Sequence, residues 1–158
     1  MVSSDSVMIP VSKVCLTLLF SFALLLDALR PAIAGEEVVL IVSARSHVEQ
    51  LDSPQVRKLF LGLTVTQHGV HLRPVLNESD DRIKELFLQN IVAMSDSTYD
   101  RYLLRLALLQ GRTQPAVYKN KDELIDAVVA NPAAVGYVWA RDVTRDPRLK
   151  IIRVVWHD

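Results

Sequence analysis

The sequence predicts an α/β domain built on a largely parallel sheet of about four strands. Two observations carry this prediction. Short apolar runs rich in β-branched residues alternate along the chain with longer segments whose apolar residues recur at helical spacing. Half of the residues are hydrophobic, which is enough to build a packed core and excludes disorder. Strands that alternate with helices are typical of a sheet whose neighbouring strands run in parallel.

The first predicted strand and helix are marked clearly. Residues 38–42 (VVLIV) form a continuously apolar run, as expected of a strand buried on both faces. Residues 53–62 (SPQVRKLFLG) predict a helix that Ser53 caps, that carries Pro54 in its first turn, and that Gly62 ends in the left-handed conformation.

The middle of the chain predicts one more strand and two helices. Residues 64–69 are predicted as a connection, and residues 72–76 as the second strand. Residues 77–81 (NESDD) are dense in capping side chains and open the second helix. Residues 96–110 predict a third helix that Gly111 closes.

The last third of the chain predicts a fourth helix between two strands. Asn120 is followed three residues later by Glu123, close to a capping box, and Pro132 marks the end of this helix. Residues 134–138 and 150–155 predict the third and fourth strands.

Composition excludes several functions. Lys and Arg total 18, as do Asp and Glu, so no charge excess favours binding to nucleic acid or to anionic membranes. No nucleophile triad and no glycine-rich phosphate loop is recognisable, so we expect neither an enzyme nor a cofactor. His68 and His71 lie in a predicted loop without a third ligand, so no metal site is expected. The only cysteine, Cys15, lies in the N-terminal apolar run.

Residues 1–34 predict a cleavable signal peptide. Lys13 precedes the apolar run 14–26, and small residues lead to a predicted cleavage site after Ala34. The alternative is an uncleaved anchor, but a run of this length spans only ~20 Å of a ~30 Å hydrocarbon core. We therefore expect a single domain, residues 35–158, that is periplasmic or secreted and is not inserted in the membrane after cleavage.

Three segments, in this order, resemble the substrate-binding proteins of phosphate ABC transporters. They are residues 53–62 (SPQVRKLFLG), 72–87 (LRPVLNESDDRIKELF) and 132–140 (PAAVGYVWA). The resemblance implies a three-layer lobe with the type II periplasmic binding protein fold. Family members usually hold an anion between two such lobes, whereas this chain is long enough for one.

The resemblance also locates the position of the family's phosphate site. In the family a Ser-Gly-Thr tripeptide begins the helix that ends in Phe, and its hydroxyls and backbone N–H groups bind phosphate. Here Asp81, Arg82 and Ile83 occupy those three positions. Both hydroxyls are missing, and Glu78 and Asp80 add negative charge that repels a dianion. We therefore expect phosphate binding by this helix start to be weakened or lost.

Seven residues are candidates for contacting an anion, because they follow strands, begin a helix or belong to the last resembling segment. They are Ser43, Arg45, Ser46, Ser79, Asp81, Arg82 and Tyr137. Each has a structural alternative. The turn after the first strand is also explained as a polar connection, Ser79 as a helix cap, and Tyr137 as packing of the sheet.

Two functions follow from this sequence. The first is an exported solute-binding-like protein that holds phosphate or another small anion. The alternative is a non-catalytic interaction module that has lost the anion site and acts through a protein partner or as a homodimer.

Overall fold

The computed structural model describes residues 36–158. The predicted signal peptide, residues 1–34, lies outside the described residues, so both the signal and its cleavage stay predictions.

The described chain alternates strands and helices, with one short hairpin between the first helix and the fourth strand. The strands are β1 (Glu37–Ser43), β2 (Thr66–Gln67), β3 (Val70–His71), β4 (Arg73–Asn77), β5 (Ala116–Tyr118), β6 (Ala134–Trp139) and β7 (Leu149–His157). The helices are α1 (Ser53–Phe60), α2 (Asp81–Phe87), α3 (Asp96–Gln110), α4 (Lys121–Ala130) and α5 (Ala140–Val143). A π-helical turn, Leu88–Val92, continues α2.

The α/β class is confirmed, and the sheet is mixed. Its strand order is β5-β4-β6-β1-β7. Strand β4 runs parallel to both β5 and β6, whereas β1 runs antiparallel to β6 and β7. Val38 of β1 lies opposite Trp139 of β6, and Ile41 lies opposite Gly136. The start of β1 therefore lies at the same edge of the sheet as the carboxyl ends of β4 and β6.

Both faces of the sheet are covered, which gives three layers. Alternate residues of β1 enter two separate apolar clusters, because successive strand residues point to opposite faces. Leu40 packs in the cluster with Phe60 and Phe87, which come from α1 and α2. Ile41 packs in the other cluster with Leu124, which comes from α4. This double burial explains why residues 38–42 are apolar without alternation.

Gly136 lies where α4 crosses β6 closely. A Cβ atom at this position would lie 3.2 Å from Cγ2 of Val128 and 3.4 Å from Cδ2 of Leu124. Since these side chains lie in the interior, the glycine allows the helix to approach the strand.

The helix ends agree closely with the sequence prediction. Helix α3 has the predicted bounds, and Gly111 ends it with φ of 60°. The prediction that Ser53 caps helix α1 is wrong, because the N-cap is the preceding residue, Asp52. The Asp52 carboxylate accepts a 2.7 Å hydrogen bond from the Gln55 amide. The Gln55 side chain accepts in return from the Asp52 amide, which completes a capping box.

The predicted connection 64–69 contains part of a hairpin instead. Strands β2 and β3 pair antiparallel through a turn at His68 and Gly69, whose φ values are 49° and 79°. Two successive positive φ values are typical of a tight two-residue hairpin turn. Strand β5 and helix α5 are two further elements without a counterpart in the sequence prediction.

Within residues 36–158, no helix is both long and apolar enough to cross a bilayer. The same part of the chain contains no cluster of three or more His, Cys, Asp or Glu side chains placed to hold a metal ion.

Candidate anion-binding site

Polar side chains gather at the edge of the sheet where β4 and β6 end. Helix α2 begins shortly after β4, and α5 begins directly after β6. Strand β1 starts at this edge because it is antiparallel to β6. Five side chains therefore come together here. The start of α2 contributes its N-cap Asp80 and Arg82, β6 contributes Trp139, α5 contributes Arg141, and Glu36 directly precedes β1.

Asp80 occupies the start of α2. Its Oδ1 accepts hydrogen bonds from the backbone amides of Arg82 at 2.8 Å and Ile83 at 3.4 Å. Its Oδ2 accepts a 2.9 Å bond from the Trp139 indole. This indole bond, helped by the two amides, holds the pKa of Asp80 below its ordinary value against the opposing effect of partial burial. The amides that the resemblance would offer to phosphate are thus bonded to a carboxylate of the chain itself.

Two arginines hold a second carboxylate next to Asp80. Nη1 of Arg82 lies 2.6 Å from one oxygen of Glu36, and Nη1 of Arg141 lies 2.7 Å from the other. Both guanidinium groups also lie over the Trp139 ring, at 5.8 Å and 5.0 Å from its centroid. The electron-rich face of the indole attracts the two cations, and this cation–π interaction stabilises the arginines over the ring. We call Arg82, Arg141 and Trp139 the arginine clamp.

A hollow of about 700 Å³ lies beside the clamp. It is lined by Arg141, Asp142, Thr144, Arg145, Asp146, Pro147 and Arg148. Part of the positive charge that lines this hollow is neutralised within the chain, because Arg148 pairs with Asp146 at 2.8 Å and with Asp126 at 3.1 Å. Arg141 belongs to both the clamp and the hollow.

Asp81 faces a different hollow, of about 590 Å³, which Lys84 also lines. Lys84 is not a free cation, since its ammonium lies 2.7 Å from both Glu78 and Asp96. Partial burial disfavours its charge, but the hydrogen bonds to Asp96 and Glu78 outweigh this effect and raise the pKa of Lys84. This side of α2 therefore offers little positive charge to an anion.

Ser79 is held by Asn77 rather than capping the helix. Its amide and its hydroxyl donate to Oδ1 of Asn77 at 2.9 Å and 2.7 Å. The Asn77 amide group in turn donates to the Tyr137 carbonyl at 3.0 Å. Buried Asn77 thus ties the loop before α2 to β6.

Tyr137 lies in the core. Its ring stacks on Phe87 at 3.9 Å with the planes 3° apart, and it meets Phe60 edge-on at 5.8 Å. Its hydroxyl donates to the Asn77 carbonyl at 3.2 Å. Burial raises the pKa of Tyr137, and the side chain is enclosed by protein. Its position gives it a packing role.

The turn after β1 lies at the opposite edge of the sheet, because β1 is antiparallel to β6. The Ser43 hydroxyl and the Arg45 guanidinium both donate to the Val129 carbonyl, at 3.3 Å and 2.9 Å. Ser46 accepts from the Val48 amide at 3.3 Å. The seven candidates therefore divide: Ser79, Asp81 and Arg82 lie at one edge, Ser43, Arg45 and Ser46 lie at the other, and Tyr137 is buried.

Sequence reasoning missed Glu36 and Arg141. Arg141 carried a usable signal, because it follows the carboxyl end of a predicted strand, where ligands collect in open α/β sheets. Glu36 carried none, since it precedes β1 and reaches this edge only because β1 is antiparallel.

The chain shares its fold with substrate-binding proteins of phosphate ABC transporters, over part of their length. Three solved structures are similar to it. The phosphate ABC transporter substrate-binding protein of Clostridium perfringens, solved with bound phosphate, has a TM-score of 0.54 and 18% identity, over 77% of this chain and 46% of that one. PstS of Borrelia burgdorferi has a TM-score of 0.54 and 13% identity, over 75% of this chain and 47% of PstS. A possible phosphate-binding protein of Planctomyces limnophilus has a TM-score of 0.53 and 13% identity, over 77% of this chain and 42% of that protein.

These three structures confirm that the chain shares its fold with the family that the three sequence segments resemble. The chain spans less than half the length of each of these proteins. No protein-family model and no curated protein matches the sequence.

Proposed function

We propose that this protein is an exported, non-enzymatic solute-binding-like protein that binds a small oxyanion at the arginine clamp, in place of the Glu36 carboxylate. One observation carries the proposal. Arg82 and Arg141, from two different helices, bind the two oxygens of a single carboxylate. An oxyanion such as phosphate presents oxygens in the same way, and the planar donor fork of arginine suits them.

The clamp is placed for exchange with solvent. The arginine side chains are 58% and 59% exposed, and that of Glu36 is 31% exposed. Exposed ion pairs contribute only about 0–1 kcal/mol each, so a competing anion displaces Glu36 at little cost. Asp80 lies close by and adds repulsion, so we expect weak binding by the intact protein and tighter binding once Glu36 is neutralised.

The fold supports the same class of ligand. One protein that shares it was solved with phosphate bound. Export rests on the predicted signal peptide, and the solute-binding role rests on the shared fold together with the clamp.

Calorimetric titration of the purified protein with phosphate, sulfate and molybdate tests the proposal. We expect saturable binding that Glu36→Gln tightens at least tenfold and Arg141→Gln abolishes. Glu37→Gln is the matched control, because Glu37 is the next residue and lies in β1 opposite His157. If neither the unaltered protein nor Glu36→Gln binds any of the three anions, the proposal fails.

A second candidate function is the interaction module that acts through protein contacts. The start of α2 favours it, because Asp80 satisfies the amides that an anion would need. If calorimetry detects no binding of any of the three anions and the protein forms a stable complex with a second protein, this candidate is favoured over the first.

A further inference from the structure

The hollow beside the arginine clamp is larger than a bare oxyanion needs. Its volume of about 700 Å³ lies within the range of about 300–1,000 Å³ that is usual for the sites of organic ligands. An oxyanion that replaces the Glu36 carboxylate contacts Arg141, and Arg141 also lines the hollow. The hollow therefore has room for the rest of a molecule whose terminal oxyanion is held at the clamp.

The two carboxylates that line the hollow have cationic partners within the chain. Oδ1 of Asp142 lies 3.1 Å from the ammonium of Lys121, and Oδ2 of Asp146 lies 2.8 Å from Nη2 of Arg148. These pairs reduce the repulsion that either carboxylate exerts on an anionic ligand. A ligand in the hollow therefore interacts mainly with the remaining arginines of the lining.

Arg145 is an exposed arginine of this lining whose charge the described chain does not neutralise. Within residues 36–158, its guanidinium forms no ion pair, in contrast to those of Arg141 and Arg148. The backbone stays helical as far as Thr144, whose amide donates to the Ala140 carbonyl at 3.0 Å. Arg145 therefore follows Arg141 by about one helical turn, a spacing that brings side chains together, with about 5–6 Å between their Cβ atoms.

We propose that the ligand of this site is a small phosphate monoester with a carboxylate, held by its phosphate at the arginine clamp and by its carboxylate at Arg145. The inference rests on the proposed function, because the phosphate replaces Glu36 at the clamp. Arginine suits both ends of such a molecule, since its planar donor fork matches the oxygens of carboxylates and phosphates. Every lining residue except Pro147 has a polar or charged side chain, which favours a short hydroxylated body over an apolar one.

Calorimetric titration with two matched esters tests this inference. Phosphoglycerate and glycerol phosphate, each esterified at a terminal carbon, share the length of their carbon chain and their phosphate, and only the first has a carboxylate. We expect the unaltered protein and Glu36→Gln to bind phosphoglycerate about tenfold more tightly, as one charge-assisted contact provides. Arg145→Gln should remove this preference. The control is Arg105→Gln, which removes the same charge from an exposed position of α3 and should keep the preference.

Equal affinities for the two esters would overturn the inference, as would an Arg145→Gln variant that keeps the preference for phosphoglycerate. In either case, saturable binding of inorganic phosphate by Glu36→Gln would leave the proposed function standing. If inorganic phosphate and both esters fail to bind, the proposed function fails, and this inference fails with it.

Discussion

The indole of Trp139 donates a 2.9 Å hydrogen bond to Oδ2 of Asp80, and this bond joins the end of β6 to the start of α2. Oδ1 of the same carboxylate caps α2 through the Arg82 amide. One side chain therefore caps a helix and also fixes the ring on which the two arginines lie. The position of the clamp depends on this connection.

Replacing Trp139 by Phe should lower the free energy of unfolding by about 1–3 kcal/mol near neutral pH, because the bond to a charged acceptor is lost. The Trp139 bond is the main reason why the pKa of Asp80 lies below the ordinary aspartate value of 3.8. The stabilisation is therefore fully present above pH 3.8 and is lost as the pH falls through the lowered pKa of the folded state. Urea unfolding of both proteins at pH 7 and at pH 3 measures it. An energy difference that grows on acidification would contradict the assignment.

Gly136→Ala should destabilise the protein by about 1–3 kcal/mol, because the new methyl group is forced against interior side chains. The added Cβ would lie 3.2 Å from Val128. Thermal and urea unfolding give the change. A double-mutant cycle with Val128→Ala should show favourable coupling, since shortening Val128 makes room. Additive effects of the two changes would show that Val128 is not the obstacle.

Asn77→Ala should cost about 1–3 kcal/mol, because the buried Tyr137 carbonyl loses its donor and the Ser79 amide and hydroxyl lose their acceptor. Asn90→Ala is the matched control. Its side chain is exposed and donates only to the Leu86 carbonyl of its own helical segment, so a change within about 0.5 kcal/mol is expected. Equal unfolding energies of the two variants would contradict the role assigned to Asn77.

Arg141→Lys should weaken oxyanion binding at least tenfold, although the charge is kept. A lysine ammonium lacks the planar donor fork and stacks less well on the Trp139 ring. Arg101→Lys, at an exposed position of α3, should leave binding unchanged. Calorimetry with phosphate compares them, and equal affinities of the two variants would show that position 141 contributes charge alone.

The sequence predicted helices better than strand directions. Helix α3 has its predicted bounds because Gly111 and the apolar spacing mark it locally. The apolar run of β1 reveals burial but not direction, because a strand covered on both faces looks the same either way along the chain. The antiparallel course of β1 brings Glu36 to the clamp and takes Ser43 to the far edge of the sheet.

The candidate site was only partly predictable, because local sequence patterns reveal its helix-start residues but not its long-range contacts. The carboxylates at the start of α2 were visible as capping residues, and Arg82 was visible beside them. The Trp139 bond to Asp80 and the Glu36 bridge between two arginines join residues 59, 46 and 105 positions apart, and no local pattern encodes such contacts.

The most direct test of the arginine clamp is a phosphate titration followed by two-dimensional ¹H–¹⁵N NMR. The chain has two tryptophans, Trp139 and Trp156, so the spectrum contains two indole N–H signals. We predict a saturable shift that is largest for the Trp139 indole and the Arg82 and Arg141 side chains, and that is stronger in Glu36→Gln. An unmoved Trp139 indole at millimolar phosphate in both proteins, or shifts confined to residues 43–46, would contradict the account.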